Sequence, residues 1–486
     1  MPVGMVGRRW PIVAGGLAVA FFAIRQQSSV ANDSKKMIAL LNPAQVSATL
    51  REHDESYIIE RKNGVLRFDI AQLASNNPIE DDFSTGIVNV PLITEQDQEY
   101  STDWMFWGVY DGHGGWATSA KLRESLIGAV TKELQQNYKP IIPGSSRRVE
   151  PDEAVITQSI KDAFINLDDQ IVNKSVQTLL ANPSVKKATE GIPPAISGSC
   201  ALLAFFDTHS KDLRVAVTGD SRAVLGERQA DGSWTATALS SDQTGSNQQE
   251  VQRIRSEHPG ENDTCVRNGR VLGIYEPTRA FGDATTKWSR EIQSTISHEF
   301  FGRRIPRELR TPPYMTAEPE VTKTKITKPG FLVLASDGLY EMLSNEQVVS
   351  LVVEWLENKT PDSLKSLEPV KRDGFVDKWL RPGRKQSVVE DLSANKDAQK
   401  QPIRRKNEKQ ESAVMDENVA THLIRNSLGG NNQDQVSMLV SIPAPLSRRY
   451  RDDLTVMVVF FGMGEENTGM VKVNKAATRI KSKSKL

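Results

Sequence analysis

The chain has 486 residues, enough for about three domains of ordinary size and for a large buried core. Lysine plus arginine and aspartate plus glutamate each number 61, so no global field favours nucleic acid or an anionic membrane, and any ion site must be local. The two cysteines, Cys200 and Cys265, exclude a disulfide framework and a cysteine-based zinc site, which suits a reducing compartment.

In chain order, residues 1–41 form a separate segment. Arg8 and Arg9 precede an apolar run at 11–24, and Arg25 follows it. The run falls short of the roughly 20 residues of a membrane span. It fits a signal h-region, a short membrane tether or, since no acid precedes Asp33, a mitochondrial targeting segment with a sorting anchor. From 42 to 462 apolar strands are punctuated by Gly, Asp and Asn. The run 104–110 ends on Asp111-Gly112-His113-Gly114-Gly115-Trp116, which brings an acid, a glycine and a histidine to one edge of a buried core. An ordinary Asp-Gly turn explains this stretch equally well until partner carboxylates are found.

Pro151 suits a first helical position, and Ile156, Ile160, Phe164, Leu167 and Ile171 continue it at helical spacing. Runs 201–207, 213–218 and 222–228 read as three strands of an antiparallel meander. Ser344 and Gln347 form a capping box before an apolar helix face, and a further helix spans about 417–428, stopped by Gly429 and Gly430. Residues 137–151 and 359–410 read as inserts; the second half of the latter is expected to be mobile, and its basic cluster 404–409 to be a solvated face. The tail 463–486 is basic and expected to be disordered. Trp104, Trp107 and Trp116 read as core and turn packing, with no basic stripe to make them a base-stacking platform.

Further acids stand at comparable strand edges. Glu80 and Asp81 precede Phe83, Asp220 ends the run 213–219, Asp337 and Gly338 end 331–336, and Asp452 and Asp453 open 454–461. Each alone is an ordinary boundary. Together they form a set that a cation would let crowd, because unpaired like charges raise one another's pKa. Carboxylates, a backbone carbonyl and water suit Mg²⁺ or Mn²⁺, whereas zinc would ask for cysteine or several histidines. Two such ions sharing a carboxylate could clamp a phosphoryl oxygen and make water, not a side chain, the nucleophile of phosphomonoester hydrolysis.

These residues carry a resemblance. Pro78-Ile79-Glu80-Asp81, Asp111-Gly112-His113-Gly114-Gly115, Ser197-Gly198-Ser199-Cys200-Ala201, Thr218-Gly219-Asp220-Ser221-Arg222-Ala223, Thr278-Arg279-Ala280-Phe281-Gly282-Asp283, Ala335-Ser336-Asp337-Gly338 and Arg451-Asp452-Asp453 occur in the order found in the metal-dependent type 2C serine/threonine protein phosphatases, which the chain resembles over roughly 60–462. The resemblance implies an α+β fold, a central sandwich of two antiparallel β-sheets flanked by helices on both outer faces, with metals in a cleft at one end. It implies that Asp111 bridges two Mg²⁺ or Mn²⁺ ions, one completed by Asp337 and Asp452 and the other by Glu80 and the carbonyl of Gly112. Asp81 would hold metal-bound waters, and Asp220 would face a weaker third ion. His113 would be the general acid that protonates the departing seryl or threonyl oxygen.

One position departs from the family pattern: Asn76 stands where many members place an arginine that grips the phosphate. An amide can hydrogen-bond a phosphoryl oxygen without the charged bidentate grip of a guanidinium. The same asparagine, with the stretches 312–319 and 450–455, is similar to the branch that acts on the pyruvate dehydrogenase complex in mitochondria, most of all to its fungal type. The expected partner is thus a phosphoprotein, that complex first, with no nucleic acid, and the expected address is mitochondrial, with a possible inner-membrane association through residues 11–24. A catalytically silent relative would be expected to miss a core ligand, yet Glu80, Asp111, Asp337 and Asp452 are all acids. The remaining alternative is the same chemistry on another substrate in another compartment.

Overall fold

The structure is a computed structural model that describes residues 38–61, 64–93, 99–138, 151–359, 364, 367, 388–390, 411–462 and 468–479. Its strands are mostly apolar on both faces, and in Ala201–Asp207, Gly330–Ala335 and Leu454–Phe461 every residue is buried. A strand of that kind needs a covering layer on each side. The parity of each strand shows which layers these are. Met457, Val459 and Phe461 point into one core with Leu202, Ala204 and Phe206 from the other sheet. Val456, Val458 and Phe460 point the opposite way, towards the helices Asn345–Lys359 and Val419–Leu428. Ala201, Leu203 and Phe205 likewise face the helices Ala117–Asn137 and Glu153–Asp169. The molecule is an α+β sandwich of four layers, helix, sheet, sheet, helix.

The larger sheet orders its strands as Val388–Glu390, Trp234–Ala238, Arg222–Arg228, Gly330–Ala335, Leu454–Phe461, Val65–Leu73, Glu55–Glu60 and Met470–Val473. The smaller orders Glu320–Lys325, Asp212–Thr218, Ala201–Asp207, Glu99–Tyr110 and Asp82–Ile93. Antiparallel register places Asp82 opposite Tyr110, Ala201 opposite Thr218, Ala335 opposite both Val456 and Arg222, and Leu454 opposite Leu73. The loops that follow Tyr110, Thr218, Leu73 and Ala335 therefore emerge at one end of the sandwich, beside the segments that lead into Asp82 and Leu454.

Three expectations are corrected. The meander breaks after its second strand: Ala201–Asp207 and Asp212–Thr218 pair, but Gly219, at φ 104°, turns the chain and Arg222–Arg228 joins the other sheet. Pro151 precedes the helix, which starts at Glu153 behind Asp152, and the run continues past Asp169 through a π-helical turn at Gln170–Lys174. Residues 468–479 of the tail are ordered: Met470–Val473 pairs with Glu55–Glu60, Ala477 is fully buried and the Arg479 amide donates to the Asp54 carbonyl.

The capping box is present: the Ser344 amide donates to Gln347 Oε1 and the Gln347 amide to Ser344 Oγ. The helix Val419–Leu428 ends at Gly429 and Gly430, at φ 156° and 56°. Leu40–Leu486 forms one compact unit. Residues 11–24, the cluster 404–409, residues 139–150 and most of 359–410 lie outside the described residues. Among the described residues no helix is long and apolar enough to cross a membrane.

Candidate active site

Carboxylates gather at that end of the sandwich. Asp111, Asp220 and Asp337 each offer an oxygen that lies within 4.8 Å of the others'. Burial raises Asp111 well above the usual carboxylate range, and Asp81, Asp337 and Asp220 push it further up. Asp81 is buried; loss of water, with the charges of Asp453 and Asp337, pushes it up to about 8 although Ser336 and Thr455 hydrogen-bond to it. Its Oδ2 is buried with no hydrogen-bond partner among the described residues. Burial raises Glu80 too, and Asp453 adds to this, while the Gly115 amide and the charge of Arg448 pull it back. Acids this crowded and this dry stay ionised together when a cation neutralises them, and an all-oxygen donor set fits Mg²⁺ or Mn²⁺. Gly112 is required by packing, since a Cβ there would collide with the Glu80 carbonyl oxygen.

Asp452 and Asp453 have separate tasks. Asp453 is buried and holds the loop before Asp82: its Oδ1 accepts from the amides of Ser75 (2.5 Å) and Asn76 (3.0 Å), and its Oδ2 from the amide of Glu80 (2.9 Å). Asp452 is ion-paired with Arg448, one helical turn earlier in sequence. Asn76 Nδ2 donates to Glu80 Oε2 and to Asp453 Oδ2, both at 3.2 Å. Its amide hydrogens are thus spent on carboxylates.

His113 has a partner that the sequence reading did not assign. The segments Gly112–His113, Gly198–Ser199 and Phe281–Gly282 form a small sheet, which carries Asp283 to His113, with Nε2 and Oδ2 2.6 Å apart. Gly198 lies against both, and a Cβ there would strike His113 Nε2 and the Asp283 carboxylate. The tight strand start read at Gly198-Ser199-Cys200 therefore serves this pair. Asp283 is fully buried and adopts left-handed backbone, φ 46°, which is uncommon for a non-glycine residue. Burial would lower the imidazole pKa, but the Asp283 carboxylate outweighs it and leaves the pKa raised. The His113 side chain keeps 22 % exposure towards the cleft. The one signal for Asp283 was its place at the end of the motif 278–283. Trp104 and Trp107 are buried as expected, whereas Trp116, on the rim, is 52 % exposed.

A protein-family profile described as Protein phosphatase 2C matches residues 85–373. The Saccharomyces cerevisiae protein named [Pyruvate dehydrogenase [acetyl-transferring]]-phosphatase 1, mitochondrial, is 41% identical over 472 residues, covering 93% of this chain and 78% of its own. The Schizosaccharomyces pombe protein phosphatase 2C homolog C10F6.17c is 39% identical over 93% of this chain and 94% of its own. The Bos taurus protein that shares the Saccharomyces protein's name is 30% identical over 87% of this chain and 83% of its own.

Proposed function

The chain belongs to the protein phosphatase 2C family and is a metal-dependent phosphoprotein phosphatase; from that premise we propose that it dephosphorylates phosphoserine in the mitochondrial pyruvate dehydrogenase complex. The observation that carries the chemistry is the meeting of half-buried Asp111 and Asp337 with buried Asp220. Support for the substrate and the address comes from the names of the relatives and from the acid-free, arginine-bearing first 32 residues.

Asp111, Glu80, the Gly112 carbonyl, Asp337 and Asp452 would hold two Mg²⁺ or Mn²⁺ ions, with Asp81 beside them and Asp220 towards a third. When bound, such ions clamp a phosphoryl group and activate water for attack. The residues of the chain do the rest. Asp453 fixes the loop that carries Glu80 and Asp81. His113, with Nε2 turned to Asp283, has Nδ1 left to protonate the departing serine oxygen, and Asp283 favours the protonated ring.

The purified chain with Mn²⁺ or Mg²⁺ should dephosphorylate the phosphorylated complex and a phosphoserine peptide, and should stop when EDTA is added. Asp111→Asn should cut kcat by roughly a hundredfold or more. Full turnover in EDTA would sink the two-metal account, and turnover of the peptide without the complex would move the substrate elsewhere. For the address, a fluorescent fusion of the full chain should mark mitochondria and lose them when residues 1–30 are removed; retention by the truncated form would overturn the targeting role of that segment.

A further inference from the structure

The arginine missing at position 76 leaves a question about charge. A phosphate dianion entering a metal cleft leaves peripheral oxygens beyond the metals, and a guanidinium satisfies them better than an amide does. Asn76 cannot serve in the arrangement seen, because its Nδ2 donates to Glu80 and Asp453. Besides Arg123, which pairs with Asp82, Arg222, Arg451, Arg303 and Arg448 stand near this end of the sandwich. Arg222 is buried on Asp242 and Asn345, and Arg451 is buried with its Nε on the Leu439 carbonyl. Arg303 donates to the Gly114 carbonyl. Arg448 differs from these three. It lies on the short turn Leu446–Arg449, pairs with the Asp452 carboxylate, and keeps 41 % side-chain exposure. Its charge also draws the Glu80 and Asp111 carboxyls down, against the effect of burial.

We propose that Arg448 is the phosphate-gripping residue of this enzyme, supplying from the turn before Asp452 the guanidinium that position 76 lacks. The inference rests on the phosphatase reading above. Its chemistry is electrostatic. Asp452 holds the guanidinium at the mouth of the cleft, and once a cation shares the charge of that carboxylate, the arginine's remaining donors turn to the oxygens of the incoming phosphate. Arg448 would touch the substrate, and its loss should weaken phosphate binding more than metal binding. The opposite assignment, a tethered cation that competes with the metal for Asp452, predicts tighter metal binding on removal and unaltered phosphate binding.

The test uses the full chain loaded with Mn²⁺ and inorganic phosphate as the probe, followed by isothermal titration calorimetry. A separate Mn²⁺ titration and a split of kcat from KM on a phosphoserine peptide complete it. Arg448→Ala should weaken phosphate binding by about tenfold or more and raise KM in step, with Mn²⁺ binding no weaker than in the unaltered chain. Arg448→Lys should fall between the two, since it keeps charge but loses the fork. Phosphate binding unchanged in Arg448→Ala, or weakened only as much as Mn²⁺ binding, overturns the proposal, as does an unaltered Mn²⁺-loaded chain that binds no phosphate. An unaltered chain that binds phosphate yet turns over no phosphopeptide would remove the phosphatase reading and leave the binding comparison standing.

Discussion

The proposed role of His113 as proton donor depends on what stands behind it. An isolated histidine titrates near 6.5, and withdrawal from water would take it lower; the Asp283 carboxylate at 2.6 Å reverses that direction. Replacing Asp283 with Asn keeps a polar group of similar size and removes the charge. The imidazole pKa should fall, and the alkaline limb of the kcat profile, where the acid form is lost, should move to lower pH by about one unit or more. An Asp283→Asn profile that scales down without shifting would mean that Asp283 only packs the ring. His113 stood out in the sequence because it sits in a motif of short range. Asp283 was not legible as its partner, since 170 residues separate the two and the contact depends on three glycine-bearing segments meeting in a small sheet. The same limit hid Asp453: in sequence it was one more acid at a strand edge, and only the positions of the Ser75, Asn76 and Glu80 amides reveal it as the clasp of their loop.

Elements were readable where a local signal was sufficient. The capping box at Ser344, the glycine stop after Leu428 and the three apolar strand runs each rest on neighbours in sequence, and each element formed near its predicted bounds. Which sheet a strand joins is a non-local matter. The strands Ala201–Asp207 and Asp212–Thr218 are buried throughout and Arg222–Arg228 over its first five residues, so none shows the polar alternation that would reveal a solvent face. A meander was the simplest connection, and the left-handed Gly219 overturned it. The crossing has a chemical result: the chain passes from one sheet to the other at Asp220, which brings that acid beside Asp111 and Asp337. The tail was misjudged for the opposite reason. Its lysines suggested a solvated segment, yet a strand at a sheet edge tolerates outward charge, and Lys472 pairs with Glu60.

Across the whole molecule, Asp54 joins parts that are distant in sequence. Its carboxylate accepts from Thr421 on the helix Val419–Leu428 and from Arg51, while its carbonyl receives the Arg479 amide from the tail. Burial drives the carboxyl pKa up, more than Thr421 and Arg51 draw it down, to about 7. In the unfolded chain the same group titrates near 3.9. Between roughly pH 4 and 7 the folded state therefore binds more protons at this site than the unfolded state does, and stability falls as pH rises through that window, by at most about 1.4 kcal/mol per unit, then levels off. The direction is opposite to that of a salt-bridged carboxylate. Asp54→Asn keeps the hydrogen bond from Thr421 and removes the titration, so its urea midpoint should decline less between pH 4.5 and 7 than that of the unaltered chain. With metal chelated throughout, the cleft carboxylates titrate alike in both proteins, and equal slopes would show that Asp54 is ionised in the fold. A flatter slope for the variant would make the junction of first strand, helix and tail a place where a rise from acid to neutral pH loosens the molecule.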